Sequence, residues 1–267
     1  RASAAFRRYL ESLRSEATLD PNDALKGSFT LRMRRKAGAF FTRPELADAL
    51  VEPFRQELKG EVSVLDPACG AGDLLLAATR HFKRPLDSGR LLEHWDNRLS
   101  GRDLFEEFVL SARLRVFRAA LPDAPKLPNL ETLFPGIRQG CSLSDADTYG
   151  HASHVLMNPP FTLVRAPTGC EWRTGRVSSA ALFMEAAAKQ CSAGTRIAAL
   201  LPDVLRSGSG YEAWRSMIAR HVKISSTKIV GRFARWADVD VFLLHAIVRQ
   251  RPVEKISRDG WPTLARA

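Results

Sequence analysis

Four consecutive residues, Asn158-Pro159-Pro160-Phe161, have the types and spacing best suited to chemistry in this chain. The side-chain oxygen of Asn158 and the backbone carbonyl of Pro159 can together accept both hydrogens of one amino group. An amine on an aromatic ring is a poor nucleophile because its lone pair is delocalised, and two acceptors favour a more nucleophilic, tetrahedral nitrogen. The prolines fix φ, and Phe161 offers a flat apolar surface for stacking a base. The motif therefore predicts the positioning of a planar amine for group transfer.

A second candidate site is the glycine-rich turn Asp66-Pro67-Ala68-Cys69-Gly70-Ala71-Gly72-Asp73, which follows the apolar stretch 62–65. Gly70 and Gly72 lack a Cβ atom, so the backbone can approach an adenosyl group and a methionine carboxylate closely. The carboxylates of Asp66 and Asp73 can orient the turn or accept hydrogen bonds from an ammonium group. Such a turn alone is more often an ordinary βα turn of an unrelated α/β protein.

Asp103 ends the next predicted strand, 99–102. At that place an acidic side chain can accept hydrogen bonds from both hydroxyls of a ribose. An isolated aspartate there is more often a helix N-cap, so the prediction depends on its position after the glycine turn.

Charge and cysteine patterns restrict the function classes. The chain has 40 Lys and Arg against 29 Asp and Glu, a net charge of +11, which favours nucleic acid as a partner. Its four cysteines (Cys69, Cys141, Cys170 and Cys191) form no CxxC pair and its six histidines are scattered, so we expect no metal site. With no apolar run of membrane-spanning length and no signal sequence at the start, we expect a cytoplasmic setting without a membrane partner.

The elements that must position these residues alternate between strands and helices. Strands are predicted at 62–65, 99–102, near Ile137, and at 154–157 and 196–201, with a closing hairpin from 224 to 249. Helices are predicted at 3–17, 45–58, 74–81, after Asp103 to about 121, 178–191 and 211–221. Residues 82–97 read as an irregular insertion and the stretch after Phe161 as a polar loop. This alternation implies a mostly parallel sheet covered on both faces.

Together these motifs resemble the N6-adenine DNA methyltransferases of restriction-modification systems, in the arrangement whose methionine-binding motif precedes the glycine motif. Residues 36–44 are similar to that first motif, with Arg43 inserted between Thr42 and Pro44. The resemblance runs from about Lys36 to Arg249. It implies a Rossmann-like α/β fold dependent on S-adenosylmethionine, with a seven-stranded, mostly parallel sheet, a closing antiparallel hairpin and N-terminal helices. The implied reaction is methyl transfer from S-adenosylmethionine to adenine N6 in DNA.

The resemblance also implies site residues. The catalytic ones are Asn158, Pro159, Pro160 and Phe161, and the cofactor-binding ones are Phe41, Thr42, Asp66, Pro67, Ala68, Cys69, Gly70, Gly72, Asp103, Cys141 and Asn158. One departure concerns Cys141, because family members usually carry an Asp there that contacts the cofactor's adenine amine. We expect that contact to pass to backbone groups or to Asp145, or to be weakened.

Arginines near these motifs are candidates for DNA contacts. Arg165, Arg173 and Arg176 lie in the loop after Phe161, beside Trp172, and we expect this loop to touch phosphates and to order on binding. A solvated, charged loop is an equally good interpretation. Arg232 and Arg235, beside Trp236 at the tip of the closing hairpin, form a second patch.

Domain organisation follows from the same comparison. We expect an N-terminal helical extension at 1–35, a catalytic domain at 36–250 and a tail at 251–267. Since that tail is too short for a target-recognition domain, choice of DNA sequence is expected from a separate subunit or from a C-terminal region absent from this chain. Two alternatives stay open: methylation of another planar amine (guanine N2 in RNA or a glutamine amide in protein), and a catalytically weak DNA-binding or scaffold subunit of a defence complex.

Overall fold

The computed structural model describes residues 42–85, 87–122, 129–145, 147–234 and 237–253. The predicted fold class is confirmed: the chain is a mixed α/β protein with a seven-stranded, mostly parallel sheet that ends in an antiparallel hairpin. Its residues divide into two compact units, the first ending at Asp145. Among the described helices, none is long and apolar enough to cross a membrane. The predicted helix 3–17, Phe41, Arg235 and Trp236 lie outside the described residues.

The first unit contains three parallel strands in the order β3-β2-β1. The strands are β1 (Val64–Asp66), β2 (Leu99–Asp103) and β3 (Ile137–Gln139). Its helices are α1 (Pro44–Val51), α2 (Asp73–Thr79), α3 (Ser88–Asp96) and α4 (Glu106–Ala120). Because the strands are parallel, their carboxyl ends lie at one edge of the sheet, and the polar residues that follow them come together there.

Two elements of this unit differ from prediction. Helix α1 ends at Val51 and is followed by 3-10 turns at Glu52–Phe54 and Glu57–Lys59, because Pro53 has no N–H to continue the α-helical ladder. The expected irregular insertion 82–97 is wrong, since most of it forms α3. The carboxylate of Asp87 caps this helix by accepting from the N–H of Arg90 at 2.9 Å.

The second unit contains four strands of the main sheet in the order β4-β7-β9-β8. These strands are β4 (His154–Met157), β7 (Arg196–Pro202), β8 (Val222–Ala234) and β9 (Ala237–Val248). Strands β4 and β7 are parallel, whereas β9 runs antiparallel to both β7 and β8. The helices are α5 (Ser179–Gln190), α6 (Asp203–Ser207) and α7 (Glu212–His221).

The stretch after Phe161 is a structured hairpin and not the expected polar loop. Strands β5 (Leu163–Arg165) and β6 (Arg176–Ser178) pair antiparallel as a separate two-stranded sheet. Trp172, between them, is buried and its indole N–H donates to the carboxylate of Glu185 on α5 at 2.7 Å. This contact between Trp172 and Glu185 attaches the hairpin to helix α5 of the same unit.

Candidate active site

The glycine turn connects the end of β1 to the start of α2. Its backbone is tied to the neighbouring strand, because the N–H of Cys69 donates to the carbonyl of Arg102 at 2.8 Å. A second bond, from the N–H of Gly72 to the carbonyl of Cys69 at 2.7 Å, closes the turn. Both glycines have positive φ, +51° at Gly70 and +83° at Gly72, a region that residues with a Cβ atom rarely adopt.

The two glycines have different surroundings. A Cβ atom added at Gly70 would meet no atom within 4 Å, so its backbone borders open space. A Cβ atom at Gly72 would lie 3.1 Å from the Cβ of Ala112 on α4. Gly70 thus fits the close approach of a ligand, whereas the bare Cα of Gly72 is required for helix packing.

Asp66, at the end of β1, is a buried carboxylate. It accepts a hydrogen bond from the N–H of Ala68 at 3.1 Å. Desolvation raises the pKa of Asp66 well above its ordinary value, and the nearby charges of Asp103 and Asp73 raise it further against the opposing effect of Ala68. Such a carboxylate favours a cationic ligand, since a positive charge beside it stabilises its ionised form.

Asp73, the first residue of α2, is already engaged by protein groups. One carboxylate oxygen accepts from the N–H of Thr42 at 2.9 Å, and the other from Arg115 of α4 at 2.8 Å. Arg115 also donates to the carbonyl of Ala71 at 2.6 Å. Of the two roles that the sequence left open for Asp73, the contacts favour orientation of the turn, and they fix Thr42 beside it.

Asp103 lies at the carboxyl end of β2 and faces the glycine turn. Its carboxylate oxygens accept from the N–H groups of Gly70 and Phe105, both at 3.0 Å. Desolvation raises the pKa of Asp103 to about 6, although hydrogen bonds from Phe105, Gly70 and Leu104 lower it in part. An ionised carboxylate has about four acceptor positions, so the bonds from the backbone still leave acceptor capacity for a ribose.

The segment that contains Cys141 also reaches this edge of the sheet. The N–H of Gly140 donates to the carbonyl of Asp103 at 2.9 Å. Ser142, which is buried, donates through its hydroxyl to the carbonyl of Pro67 in the glycine turn at 2.5 Å. Cys141, between these two contacts, therefore lies beside the turn, as the sequence comparison implied.

Asp145 was one candidate to replace the acidic residue expected at Cys141. Its carboxylate is 3.2 Å from the guanidinium of Arg138 and 3.5 Å from that of Arg102. These two ion pairs hold Asp145 within the protein. The contacts therefore favour the other two expectations, recognition of the cofactor's adenine through backbone groups or a weaker grip on it.

In the second unit, the Asn158 motif begins directly after the buried strand β4. Asn158 and Phe161 are half-buried, and Pro159 is buried. The ring of Phe161 packs edge-to-face against Phe233 of β8, with ring centroids 5.6 Å apart and an interplanar angle of 84°. The prolines restrict the backbone of the motif, and the contact with Phe233 holds the ring of Phe161.

The hairpin arginines fall into two groups. Arg165 and Arg176 are exposed and lie directly opposite each other on β5 and β6. Arg173 donates to the carbonyl of Gly210 at 3.0 Å and its guanidinium lies 5.2 Å from the centre of the Tyr211 ring. Residues 165–170 and 173–175 line an open cleft of about 750 Å³.

On the hairpin formed by β8 and β9, Arg232 is exposed and pairs in register with Asp240.

Comparison with known proteins bears on the glycine turn and the fold. Residues 24–103 match the model of a family described as N-6 DNA methylase, and this range contains the glycine turn and Asp103. The resemblance to the N6-adenine DNA methyltransferases is confirmed. No curated protein matches the chain. In the described residues, no cluster of three or more His, Cys, Asp or Glu is arranged to hold a metal.

Three solved structures illustrate the methyltransferase fold. A modification subunit attributed to a type I restriction enzyme from Vibrio vulnificus is 21% identical with a TM-score of 0.57, over 83% of this chain and 47% of that one. The M protein of the type I restriction enzyme EcoKI is 19% identical with a TM-score of 0.56, over 80% and 46%. A Listeria monocytogenes protein assigned to the class I S-adenosylmethionine-dependent methyltransferases is 16% identical with a TM-score of 0.58, over 92% and 71%.

The similarity to these solved structures concerns the fold. At such identities they establish the fold, and the chain spans about half the length of the first two proteins. The glycine turn, the segment around Cys141 and the Asn158 motif are supported by contacts that sequence reasoning missed, chiefly Arg115 at the glycine turn, Ser142 beside Cys141, and Phe233 against Phe161. Each of these residues acts through a partner distant in sequence, so no local pattern indicates it.

Proposed function

We propose that this chain is the catalytic module of an S-adenosylmethionine-dependent DNA methyltransferase that modifies the N6 amine of adenine. The observation that carries the proposal is the Asn158-Pro159-Pro160-Phe161 motif, held rigidly at the end of β4 by Phe233. The match of residues 24–103 to the N-6 DNA methylase family supports it. So does the similarity of its fold to a modification subunit and an M protein of type I restriction enzymes.

The cofactor would be held by the first unit. Gly70 borders the open space that a nucleoside can enter, and Asp103 can accept from two ribose hydroxyls. The buried carboxylate of Asp66 suits the ammonium group of the methionine part. Thr42, fixed by Asp73, lies beside the same turn. When bound, S-adenosylmethionine supplies a methyl group on a positively charged sulfur.

The adenine amine would be held by the second unit. The side-chain oxygen of Asn158 and the carbonyl of Pro159 accept its two hydrogens and favour a nucleophilic nitrogen, while Phe161 stacks against the base outside the duplex. No strong general base is required because the sulfonium is itself a reactive methyl donor. Catalysis then consists of positioning and of electrostatic stabilisation by these two acceptors.

DNA binding and sequence choice complete the proposal. Arg165 and Arg176, two exposed like charges opposite each other on paired strands, repel one another in the free protein. A DNA phosphate between them relieves that repulsion. The catalytic domain is assigned to residues 36–250, and target recognition to a separate subunit or to a region outside this chain.

The test is transfer of a tritiated methyl group from S-adenosylmethionine to unmethylated genomic DNA, to RNA and to protein. We expect label in DNA, at adenine N6. Asn158→Ala should lower transfer at saturating cofactor by at least about 100-fold, since a preorganised acceptor is lost. Undiminished transfer by this variant would sink the mechanism. Label in RNA or protein instead of DNA would favour methylation of another planar amine. If the protein binds the cofactor but labels none of the three substrates, a scaffold subunit would be favoured.

A further inference from the structure

Helix α5 is preceded by a buried serine and begins with another, and the two use their hydroxyl groups differently. Ser178 occupies the N-cap position but makes no side-chain capping bond. Among the described residues its hydroxyl has no hydrogen-bond partner, and its N–H donates to the Tyr211 hydroxyl at 3.0 Å. The hydroxyl of Ser179 instead contacts the segment that follows the catalytic motif.

Ser179 holds the carbonyl groups on both sides of Phe161. Its hydroxyl donates to the carbonyl of Pro160 and lies 3.1 Å from the carbonyl of Thr162. Its N–H donates to that same Thr162 carbonyl at 2.9 Å. The Thr162 hydroxyl, 3.1 Å away, can donate to the Ser179 oxygen in turn.

Part of this arrangement is ordinary for a helix start. The first N–H groups of any helix lack an intrahelical partner, and the bond from the Ser179 N–H to Thr162 satisfies one of them. The bond from the hydroxyl to Pro160 has no such explanation. It lies within the catalytic motif and serves no group of the helix.

The torsion at Pro160 gives that bond a specific consequence. Proline fixes φ but leaves ψ free, and ψ of Pro160 decides both where its carbonyl points and where the chain carries Phe161. A hydrogen bond to the Pro160 carbonyl therefore fixes the one torsion that the two prolines leave open at this point. The contact between Phe161 and Phe233, 5.6 Å between centroids, then holds the ring itself.

We propose that Ser179 is a positioning residue of the methylation site, which fixes ψ of Pro160 and so holds Phe161 where the target base stacks. This inference rests on the proposed function. Ser179 touches neither the base nor the cofactor in this role, and it acts on the rate through the geometry of Phe161. A displacement of about 1 Å in a reacting geometry can cost about 100-fold in rate, so the loss of one hydrogen bond there is measurable.

The experiment compares Ser179→Ala with Ser178→Ala in the full protein. Both remove one buried hydroxyl at the start of α5, but only the first breaks the bond to Pro160. With tritiated S-adenosylmethionine and unmethylated genomic DNA, we expect the single-turnover rate of Ser179→Ala to fall about tenfold. The rate of Ser178→Ala should stay within about twofold of the wild type. The cofactor dissociation constant should be the same in all three proteins.

A third variant separates the hydrogen bond from the volume of the side chain. Ser179→Cys keeps the side chain close to its original size but has only a weak S–H donor, so its rate should also fall. It further keeps the test decisive if Ser179→Ala fails to fold, which thermal unfolding of each variant reports.

The outcomes are distinguishable. A wild-type rate in Ser179→Ala and Ser179→Cys would overturn the positioning role, as would equal losses in Ser178→Ala and Ser179→Ala. A change in cofactor affinity that accounts for the lower rate would overturn it too. A wild-type protein that binds the cofactor but methylates no DNA would overturn the proposed function and, with it, the role given to Ser179.

Discussion

Protonation of Asp103 should weaken cofactor binding at a pH where an ordinary aspartate is still ionised. Burial raises the pKa of Asp103 to about 6, despite hydrogen bonds from the N–H groups of Phe105, Gly70 and Leu104. In the ionised form its oxygens can accept from both ribose hydroxyls, whereas protonation converts one oxygen into a donor. We therefore expect the dissociation constant for S-adenosylmethionine to rise as the pH falls through about 6.

The size of the effect follows from the titration. A carboxylate with a pKa of about 6 is roughly nine-tenths ionised at pH 7 and roughly one-tenth ionised at pH 5. If only the ionised form binds, the dissociation constant rises about tenfold, or about 1.4 kcal/mol. At the ordinary pKa of 3.8, affinity would change by less than about a tenth over that interval.

Protonation of Asp103 stabilises the fold, whereas it weakens cofactor binding. Because the pKa of Asp103 is raised in the folded state, its contribution to stability is fully present below the unfolded pKa and is lost as the pH rises through about 6. Acidification from pH 7 to pH 5 thus favours the fold through Asp103 while it weakens the site. Weaker cofactor binding between pH 7 and pH 5 is therefore not caused by unfolding through protonation of Asp103.

Calorimetric titration of the protein with S-adenosylmethionine between pH 7 and pH 5 measures the effect. Asp103→Asn is the matched variant, since its amide does not titrate, and it should bind weakly at every pH. Asp66, whose pKa is raised in part by the charge of Asp103, remains in that variant, so the pH dependence that disappears with the substitution belongs to Asp103 and to its effect on Asp66. A flat profile in the wild type, or the same slope in both proteins, would refute the reasoning.

Two further predictions concern the turn and the hairpin. Gly72→Ala should lower the free energy of unfolding by about 2 kcal/mol or more, because it adds the strain of positive φ to a 3.1 Å contact with Ala112. Gly70→Ala, with strain alone, should cost about 1 kcal/mol; denaturant unfolding that ranks them equally would contradict the packing argument. Replacing Arg165 and Arg176 together by Gln should reduce the slope of log DNA affinity against log salt by about 2. An unchanged slope would show that the two arginines do not contact DNA phosphates.

Much of the fold could be predicted because its strands are short apolar runs bounded by polar residues. Strand β4 has the bounds that the sequence predicts, His154–Met157, and β2 differs by one residue. Helix α3 was missed although its signal was present: Asp87 is a good N-cap, and the buried Leu91 and Trp95 are four residues apart. Strands β5 and β6 have three residues each, too few for an alternation to be visible.

The supporting contacts of the site could not be predicted, because they join residues far apart in the chain. The bond between Thr42 and Asp73 spans 31 residues, and that between Ser142 and Pro67 spans 75. The pairing of strands and the packing of helices against one another bring such groups together. The role of a single glycine cannot be predicted from the sequence for the same reason. At Gly72, either a ligand or a packed helix could be the group that approaches the backbone closely.

The two carboxylates Asp73 and Asp103 both lie at the glycine turn, but the fold gives them different contacts. Both accept hydrogen bonds from backbone N–H groups. Asp73 also faces the guanidinium of Arg115 at 2.8 Å, so its charge is neutralised within the protein and its contribution is to hold the turn. Burial raises the pKa of Asp103 to about 6, and the groups that lower it in part are backbone N–H groups. A carboxylate that is costly to keep ionised gains most from a ligand that donates hydrogen bonds to it, which is why we assign ligand binding to Asp103 and support of the turn to Asp73.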